Sequence, residues 1–159
     1  LGDFKEGEAL FDGDQPSEHT KGLLDFCQKF EEAGARTQAF LDEITAQYPT
    51  TKLIVSGFSQ GAMMALDAGV RTTRDVAGII AMSGGLYEDE LPDLRARSSV
   101  PVLISHGSQD DVVPVNYARR ARAVLEAAGF DVEYHEYPMG HQVVMEEVAV
   151  VKEFITRHT

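Results

Sequence analysis

The fold is decided by residues 52–65, which read Lys52-Leu53-Ile54-Val55-Ser56-Gly57-Phe58-Ser59-Gln60-Gly61-Ala62-Met63-Met64-Ala65. The first part is apolar and rich in β-branched residues, which predicts a strand. The glycine-flanked pentapeptide in the middle predicts a tight turn, and the run after it predicts a helix. A G-x-S-x-G pattern between a strand and a helix is typical of a serine that is presented on a strained turn.

Ser59 is the candidate nucleophile of this turn. Gly57 and Gly61 are both expected to leave room for its strained backbone. The hydroxyl then stands above the amino end of the following helix, where the N–H of Gln60 and the helix dipole face any negative charge that develops. A purely structural turn is the competing interpretation, and the strand and the helix on either side favour the functional one.

The overall composition is that of a single globular domain over residues 1–159. The chain has 43% hydrophobic and 25% charged residues, with a formal charge of −12 at pH 7. This negative charge disfavours nucleic acid and anionic membranes as direct partners, and it leaves room for a small acyl substrate. The one cysteine, Cys27, excludes an intrachain disulfide and a cysteine-based zinc site.

We expect neither a membrane span nor a secretory signal within residues 1–159. No stretch approaches roughly 18 uninterrupted apolar residues, and no charged-then-apolar region opens the chain. We therefore expect a cytoplasmic protein. Because the chain starts at Leu1 rather than at a methionine, a targeting signal ahead of it stays an open alternative.

The apolar pattern predicts an alternation of helices and strands. Residues 1–20 have no sustained period and are expected to form a loop. An amphipathic helix follows to about Tyr48, with Gly34 as a candidate break. Four strands are expected after it, at about residues 51–58, 76–83, 100–105 and 131–137. With helices after the first, third and fourth strands, this order predicts an α/β fold with a mostly parallel sheet and helices on both faces.

Three polar residues follow the carboxyl ends of predicted strands, namely Ser59, Asp110 and His141. Because the ends of parallel strands share one edge of a sheet, we expect their side chains to meet there. An imidazole is the base that a serine hydroxyl needs, and a carboxylate orients that imidazole and stabilises its charged form. Asp111 is the alternative acid, and an aspartate in this loop could instead cap the next helix.

The other histidines are given structural interpretations. His106 ends a buried strand and is expected to bond to loop backbone, and His135 alternates with core positions on the last strand. A metal site built from histidines and aspartates would need a ligand spacing that the sequence does not show. We therefore expect no metal.

The order serine, acid, histidine is that of the α/β-hydrolases. Within them, Gly57-Phe58-Ser59-Gln60-Gly61-Ala62, the loop from His106 to Pro114 (His-Gly-Ser-Gln-Asp-Asp-Val-Val-Pro) and Gly140-His141 resemble the phospholipase/carboxylesterase family, which includes the acyl-protein thioesterases. The resemblance covers roughly residues 48–157. It implies Ser59 as nucleophile, Asp110 as acid, His141 as base and the Gln60 N–H as one oxyanion donor, without a cofactor. It also implies an acyl pocket near three apolar residues, Leu86, Val112 and Val113.

The chain also departs from this family. Family members begin with further strands and a His-Gly-Leu-Gly-Gly-like loop that supplies a second oxyanion donor, and no such stretch precedes Ser59 here. We therefore expect an α/β-hydrolase sheet without those strands, whose unpaired edge could pair in a homodimer. The second donor would then come from a segment outside this chain or from another subunit.

These observations together predict a serine hydrolase that cleaves carboxylic esters of short to medium acyl chains. The expected partner is a small-molecule ester or thioester. Hydrolysis of acyl thioesters or of lysophospholipids is the alternative within the same chemistry. A binding domain that has lost its activity together with the oxyanion loop, or an inactive fragment, is the alternative from another class.

Overall fold

The computed structural model describes residues 11–12, 15–16, 18–49, 52–88 and 91–159. The α-helices in these ranges are α1 (Glu18–Gln47), α2 (Gln60–Arg71), α3 (Asn116–Ala127) and α4 (Met145–His158). The strands are β1 (Phe11–Asp12), β2 (Gln15–Pro16), β3 (Ile54–Phe58), β4 (Gly78–Met82), β5 (Val102–Gly107) and β6 (Val132–Tyr137). A short 3₁₀ turn, Leu94–Arg97, precedes β5.

The four longer strands form one parallel sheet in the order β3-β4-β5-β6. Phe58 lies opposite Met82, and Gly107 lies opposite Tyr137, so the strands end together at one edge. The predicted α/β class with a parallel sheet is confirmed. In the described part of the chain, β3 pairs on one side only, with β4.

Successive side chains on a strand point to opposite faces of the sheet, and helices cover both faces. Ile79 of β4 packs in a core that includes Leu66 of α2 and Leu125 of α3. Its neighbour Ile80 packs on the other face, against Phe154 of α4. Burying each of these side chains contributes about 1.5–3 kcal/mol relative to leaving it in water. The helices on both faces explain why the central strands read as continuous apolar runs.

Helix α1 is continuous through Gly34, so the predicted break at this residue is wrong. Packing against α2 is the physical reason. A Cβ on Gly34 would lie 3.2 Å from the Asp67 carboxylate, and Gln38 donates its side-chain N–H to the Ala68 carbonyl at 2.9 Å. The contact between the two helices overrides the roughly 1 kcal/mol by which glycine disfavours a helix interior.

The loop predicted for residues 1–20 is only partly a loop. Phe11–Asp12 pairs antiparallel with Gln15–Pro16, and α1 already begins at Glu18. Strands of two residues are too short to show an alternating pattern, so the sequence could not predict them. Residues 1–10 lie outside the described part of the chain.

Candidate active site

Ser59 forms the junction between β3 and α2. Its backbone has φ 58° and ψ −123°, a conformation that non-glycine residues rarely adopt. Neighbouring backbone holds it there. The Ser59 N–H donates to the Met82 carbonyl at 2.8 Å, and the N–H groups of Ala62 and Met63 donate to the Ser59 carbonyl at 3.0 and 3.3 Å. The hydroxyl is therefore presented from a fixed position.

The two glycines of this turn have different surroundings. A Cβ on Gly57 would overlap the carbonyl group of Gly61 and lie 2.7 Å from the Ala62 nitrogen, so no side chain fits there. A Cβ on Gly61 would meet no atom within 4 Å. The expectation that both glycines make room for the turn is therefore wrong for Gly61.

We expect Gly57→Ala to destabilise the protein by about 3 kcal/mol, because the first turn of α2 must move to admit the methyl group. Gly61→Ala is the matched control, with room for its methyl group and a helical backbone that favours alanine. Thermal unfolding followed by circular dichroism measures both variants. Similar melting temperatures for the two would contradict this account of the turn.

His141 lies in the loop between β6 and α4 and contacts both Ser59 and Asp110. Its Nε2 is 2.9 Å from Ser59 Oγ, and its Nδ1 is 2.7 Å from Asp110 Oδ2. The Phe58 ring packs beside the imidazole, with 4.8 Å between the ring centroids. Since a carboxylate only accepts hydrogen bonds, Nδ1 carries a proton, and Nε2 of the neutral ring is left to accept the proton of the serine hydroxyl.

The Asp110 carboxylate is buried and accepts three hydrogen bonds. Oδ2 accepts from His141, and Oδ1 accepts from the N–H groups of Val112 and Val113 at 3.0 and 2.9 Å. Burial raises the pKa of Asp110, but the bonds from His141, Val113 and Val112 together outweigh it and hold the pKa below its ordinary value. The carboxylate is therefore charged at neutral pH.

Asp111 lies in a different environment from Asp110. Its side chain is exposed to solvent, whereas the imidazole of His141 contacts Asp110. Neither aspartate caps α3, because the N-cap residue of that helix is Val115, whose side chain makes no capping hydrogen bond. The geometry therefore favours Asp110 over Asp111 as the partner of the histidine.

His106 lies directly behind the acid. It is fully buried, and its Nε2 is 2.7 Å from the Val113 carbonyl oxygen and 3.5 Å from Asp110 Oδ2. Because a carbonyl oxygen only accepts hydrogen bonds, Nε2 carries the proton. This is the bond to loop backbone that the sequence predicts for His106, and it closes the loop around Asp110.

The loops that carry the acid and the base touch through their backbones. The N–H groups of Ser108 and Gln109 donate to the carbonyls of Tyr137 and Met139 at 2.8 and 3.1 Å. A Cβ on Gly107 would overlap the Met139 carbonyl oxygen, so the contact requires glycine. The spacing between the two loops is thus set by main-chain atoms.

The amino end of α2 offers hydrogen-bond donors next to Ser59. The N–H of Gln60 is the first of this helix, and the first N–H groups of a helix have no intrahelical acceptor. The positive end of the helix dipole adds to their attraction for a negative oxygen. Among the described residues ahead of β3, none belongs to a His-Gly-Leu-Gly-Gly-like sequence.

The three residues expected near an acyl pocket lie in different settings. Leu86 packs half-buried against the core shared by α2 and α3, Val113 is half-buried, and Val112 is 64% exposed. One cavity of about 460 Å³ lies at the opposite edge of the sheet, between the starts of β3 and β4 and the end of α4. Another of about 220 Å³ lies between α1, α2 and Tyr87, and neither lining includes the three residues.

Sequence reasoning missed two residues at the end of β4 that support the turn. Ser83 is fully buried with φ 53°, and it follows Met82, whose carbonyl binds the Ser59 N–H. Gly84 lies so close that a Cβ on it would be 2.9 Å from the Ser59 carbonyl oxygen. The available signal is a serine followed by two glycines at the end of a buried apolar strand.

Other kinds of site have no counterpart in the described ranges. Among the residues that the structure describes, no three or more histidine, cysteine, aspartate or glutamate side chains are grouped so that they could hold a metal ion. None of the described helices combines the length and the apolar character of a membrane span.

Comparison with known proteins identifies the family of this chain. The family described as phospholipase/carboxylesterase matches residues 20–159. The chain belongs to this family. The match confirms the resemblance that the three motifs carry. The motifs gave a resemblance over roughly residues 48–157, and the family match begins earlier, at residue 20. It therefore also includes almost all of α1.

Several proteins similar to this chain are named as esterases or acyl-protein thioesterases. Acyl-protein thioesterase 1 of Neurospora crassa is 32% identical over 138 residues, which are 79% of this chain and 56% of the relative. The solved structure of esterase PE8 is 36% identical with a TM-score of 0.73, covering 82% of this chain and 62% of that one. Acyl-protein thioesterase 2 of Zea mays is 26% identical with a TM-score of 0.71, covering 94% and 70%. The chain spans about half the length of the curated relatives it matches.

Proposed function

We propose that this chain is a serine hydrolase that cleaves carboxylic esters of short to medium acyl chains. One observation carries the proposal. The Ser59 hydroxyl, the His141 imidazole and the Asp110 carboxylate form a continuous hydrogen-bonded series, with heavy-atom distances of 2.9 and 2.7 Å. Membership of the phospholipase/carboxylesterase family supports an esterase-type hydrolase.

The proposed reaction begins when Ser59 Oγ attacks the acyl carbonyl carbon and its proton passes to His141 Nε2. The tetrahedral intermediate then expels the alcohol, which takes the proton from His141, and the acyl group remains esterified to Ser59. A water molecule, deprotonated by the same imidazole, attacks the acyl-enzyme; the bond between Ser59 Oγ and the acyl carbon then breaks, Oγ takes the proton back from His141, and the carboxylic acid leaves. Throughout, Asp110 keeps the proton on Nδ1 and stabilises the imidazolium.

The Gln60 N–H is the proposed donor to the oxygen that becomes negative in the tetrahedral intermediate. It belongs to the residue after the nucleophile, at the positive end of α2. An oxyanion donor is typically worth about 2.7–4 kcal/mol of transition-state stabilisation. A second donor, supplied from outside the described ranges, would therefore raise kcat strongly.

Thioester hydrolysis is the second candidate, because two of the similar proteins are named acyl-protein thioesterases. The same nucleophile, base and acid would serve both reactions. A thiol has a pKa of about 8.5, far below that of an alcohol, so a thiolate leaves with less help from His141. A base that suffices for an ester therefore also suffices for a thioester.

Leu86, Val112 and Val113 are proposed to contact the acyl chain. The support comes from Val112 and Val113, whose N–H groups bind Asp110, so both lie at the edge of the sheet that carries Ser59. Val112 is 64% exposed, and an acyl chain would cover apolar surface that the fold leaves open.

Hydrolysis of p-nitrophenyl butyrate and of a matched butyryl thioester tests this function. We expect turnover of at least the ester, and the ratio of the two kcat/KM values assigns the substrate class. Val112→Asp should raise KM more for p-nitrophenyl octanoate than for p-nitrophenyl acetate. The longer acyl chain has more CH₂ groups to bury against Val112, and each buried CH₂ contributes about 0.8 kcal/mol. A folded wild-type protein that turns over neither substrate would contradict the proposal and favour a binding domain.

A further inference from the structure

Glu147 is a buried carboxylate that the proposed reaction does not use. It lies in the first turn of α4 and is 0% exposed. Glutamate is almost never fully buried unless it is paired, because a buried carboxylate loses its hydration. Its position therefore requires a partner inside the protein.

That partner is Ser105 of β5. The Ser105 hydroxyl is itself buried and donates to Glu147 Oε1 at 2.6 Å. The other oxygen of Glu147, Oε2, is buried and has no hydrogen-bond partner among the described residues. Burial and, next, the negative charge of Glu147 raise the pKa of Tyr137, the last residue of β6.

The loop that carries His141 is held at its two ends by different contacts. At its start, the backbone bonds to the loop that carries the acid fix it, as described above. At its far end, and within the described residues, the bond between Ser105 and Glu147 joins the first turn of α4 to the sheet. Because Glu147 follows His141 by only six residues, this bond determines where the loop ends.

We propose that Glu147 is a positioning residue, which through Ser105 fixes the start of α4 on β5 and so holds the His141 imidazole within hydrogen-bond reach of Ser59. The role given to His141 rests on the proposed function. A displacement of about 1 Å in a reacting group can cost about a hundredfold in rate. Loss of the bond should therefore lower kcat while leaving substrate binding nearly unchanged.

Three variants of the pair separate this role from general stability. Ser105→Ala and Glu147→Ala remove the hydrogen bond, and each should lower kcat for p-nitrophenyl butyrate by about tenfold to a hundredfold with little change in KM. Glu147→Gln keeps the size of the side chain and an oxygen that accepts from Ser105, so it should retain most of the kcat. If Glu147→Ala does not fold, Ser105→Ala and Glu147→Gln still make the comparison.

Asp67→Asn is the matched control. Asp67 is also a buried carboxylate, and it pairs with Arg71 at 2.6 Å on α2, away from the loop that carries His141. We expect this variant to lower the melting temperature while leaving kcat unchanged. A loss of kcat in Asp67→Asn as large as that in Ser105→Ala, at equal loss of melting temperature, would overturn the proposal.

Hydrogen exchange of the peptide that covers residues 138–144, measured by mass spectrometry, needs no substrate. Exchange there should be faster in Ser105→Ala and Glu147→Ala than in the wild type or in Asp67→Asn. Unchanged exchange would overturn the positioning role, as would a wild-type kcat in both variants. If the wild-type protein does not hydrolyse the ester, the proposed function fails, and the exchange rates alone still decide whether Glu147 holds the loop.

Discussion

Ser59→Ala is expected to abolish the hydrolysis of p-nitrophenyl butyrate, with a fall in kcat of at least about 10⁴-fold. The variant cannot form the acyl-enzyme, because no oxygen remains at the position that His141 Nε2 contacts. The backbone bonds of residue 59 to Met82, Ala62 and Met63 involve only main-chain atoms, so the turn itself should persist. Initial rates at saturating ester measure the effect.

Alanine rather than glycine is the appropriate substitution at this position. Glycine would relax the backbone, whose φ is 58°, and would change the turn together with the hydroxyl. Equal activity of the wild type and Ser59→Ala would show that the nucleophile is elsewhere. If both proteins are folded and inactive, the proposed hydrolysis by this chain fails and a binding domain is favoured.

Asp110→Asn is expected to lower kcat by about 10⁴-fold with a smaller effect on KM. The asparagine oxygen can still accept from the N–H groups of Val112 and Val113, which turns the amide nitrogen towards His141. An amide nitrogen donates, so the imidazole would carry its proton on Nε2 instead of Nδ1. In that tautomer the ring cannot accept the proton of Ser59. Steady-state kinetics on the same ester measures the loss.

Asp111→Asn is the matched control for this substitution. Asp111→Asn removes the same charge from the same loop, but the Asp111 side chain is exposed to solvent. We expect the kcat of Asp111→Asn to equal that of the wild type. A large loss in Asp111→Asn with little loss in Asp110→Asn would reverse the assignment of the acid.

The pH dependence of unfolding provides a second measure of Asp110. Burial raises the pKa of this carboxyl, but the hydrogen bonds from His141, Val113 and Val112 together lower it by more than burial raises it. The pKa in the folded state is therefore below the unfolded value. Such a group contributes stability that is fully present above the unfolded pKa of about 3.9 and is lost as the pH falls through the folded-state pKa. Below about pH 4, the melting temperature of the wild type should therefore fall more steeply than that of Asp110→Asn. Parallel slopes would contradict the stabilising role of these bonds.

Much of the candidate site follows from the sequence because it is built from turns at the ends of parallel strands. The signals around Ser59, Asp110 and His141 are each local, and the topology of the sheet brings them to one edge. The separation of 82 positions between Ser59 and His141 does not weaken this argument. Once the strands are identified, the edge is determined.

Contacts between side chains of different elements are what the sequence could not predict. Gly34 reads as a helix break until Asp67 is placed against it, and Gly61 reads like Gly57 until the space around each is known. No pattern around Glu147 indicates that its side chain is fully buried and bonded to Ser105. Each outcome depends on the atoms that lie opposite in three dimensions, and a linear pattern does not record them.

The main-chain contact at Gly107 makes the relative position of the acid and base loops independent of their exposed side chains. Because carbonyl and N–H groups set the spacing of the acid and base loops, substitutions on the outer side of these loops leave the imidazole in place. Val112 is such a position, being largely exposed while its N–H holds Asp110. Exchange of exposed side chains in these loops is therefore expected to leave the distance between the Asp110 carboxylate and the His141 imidazole unchanged.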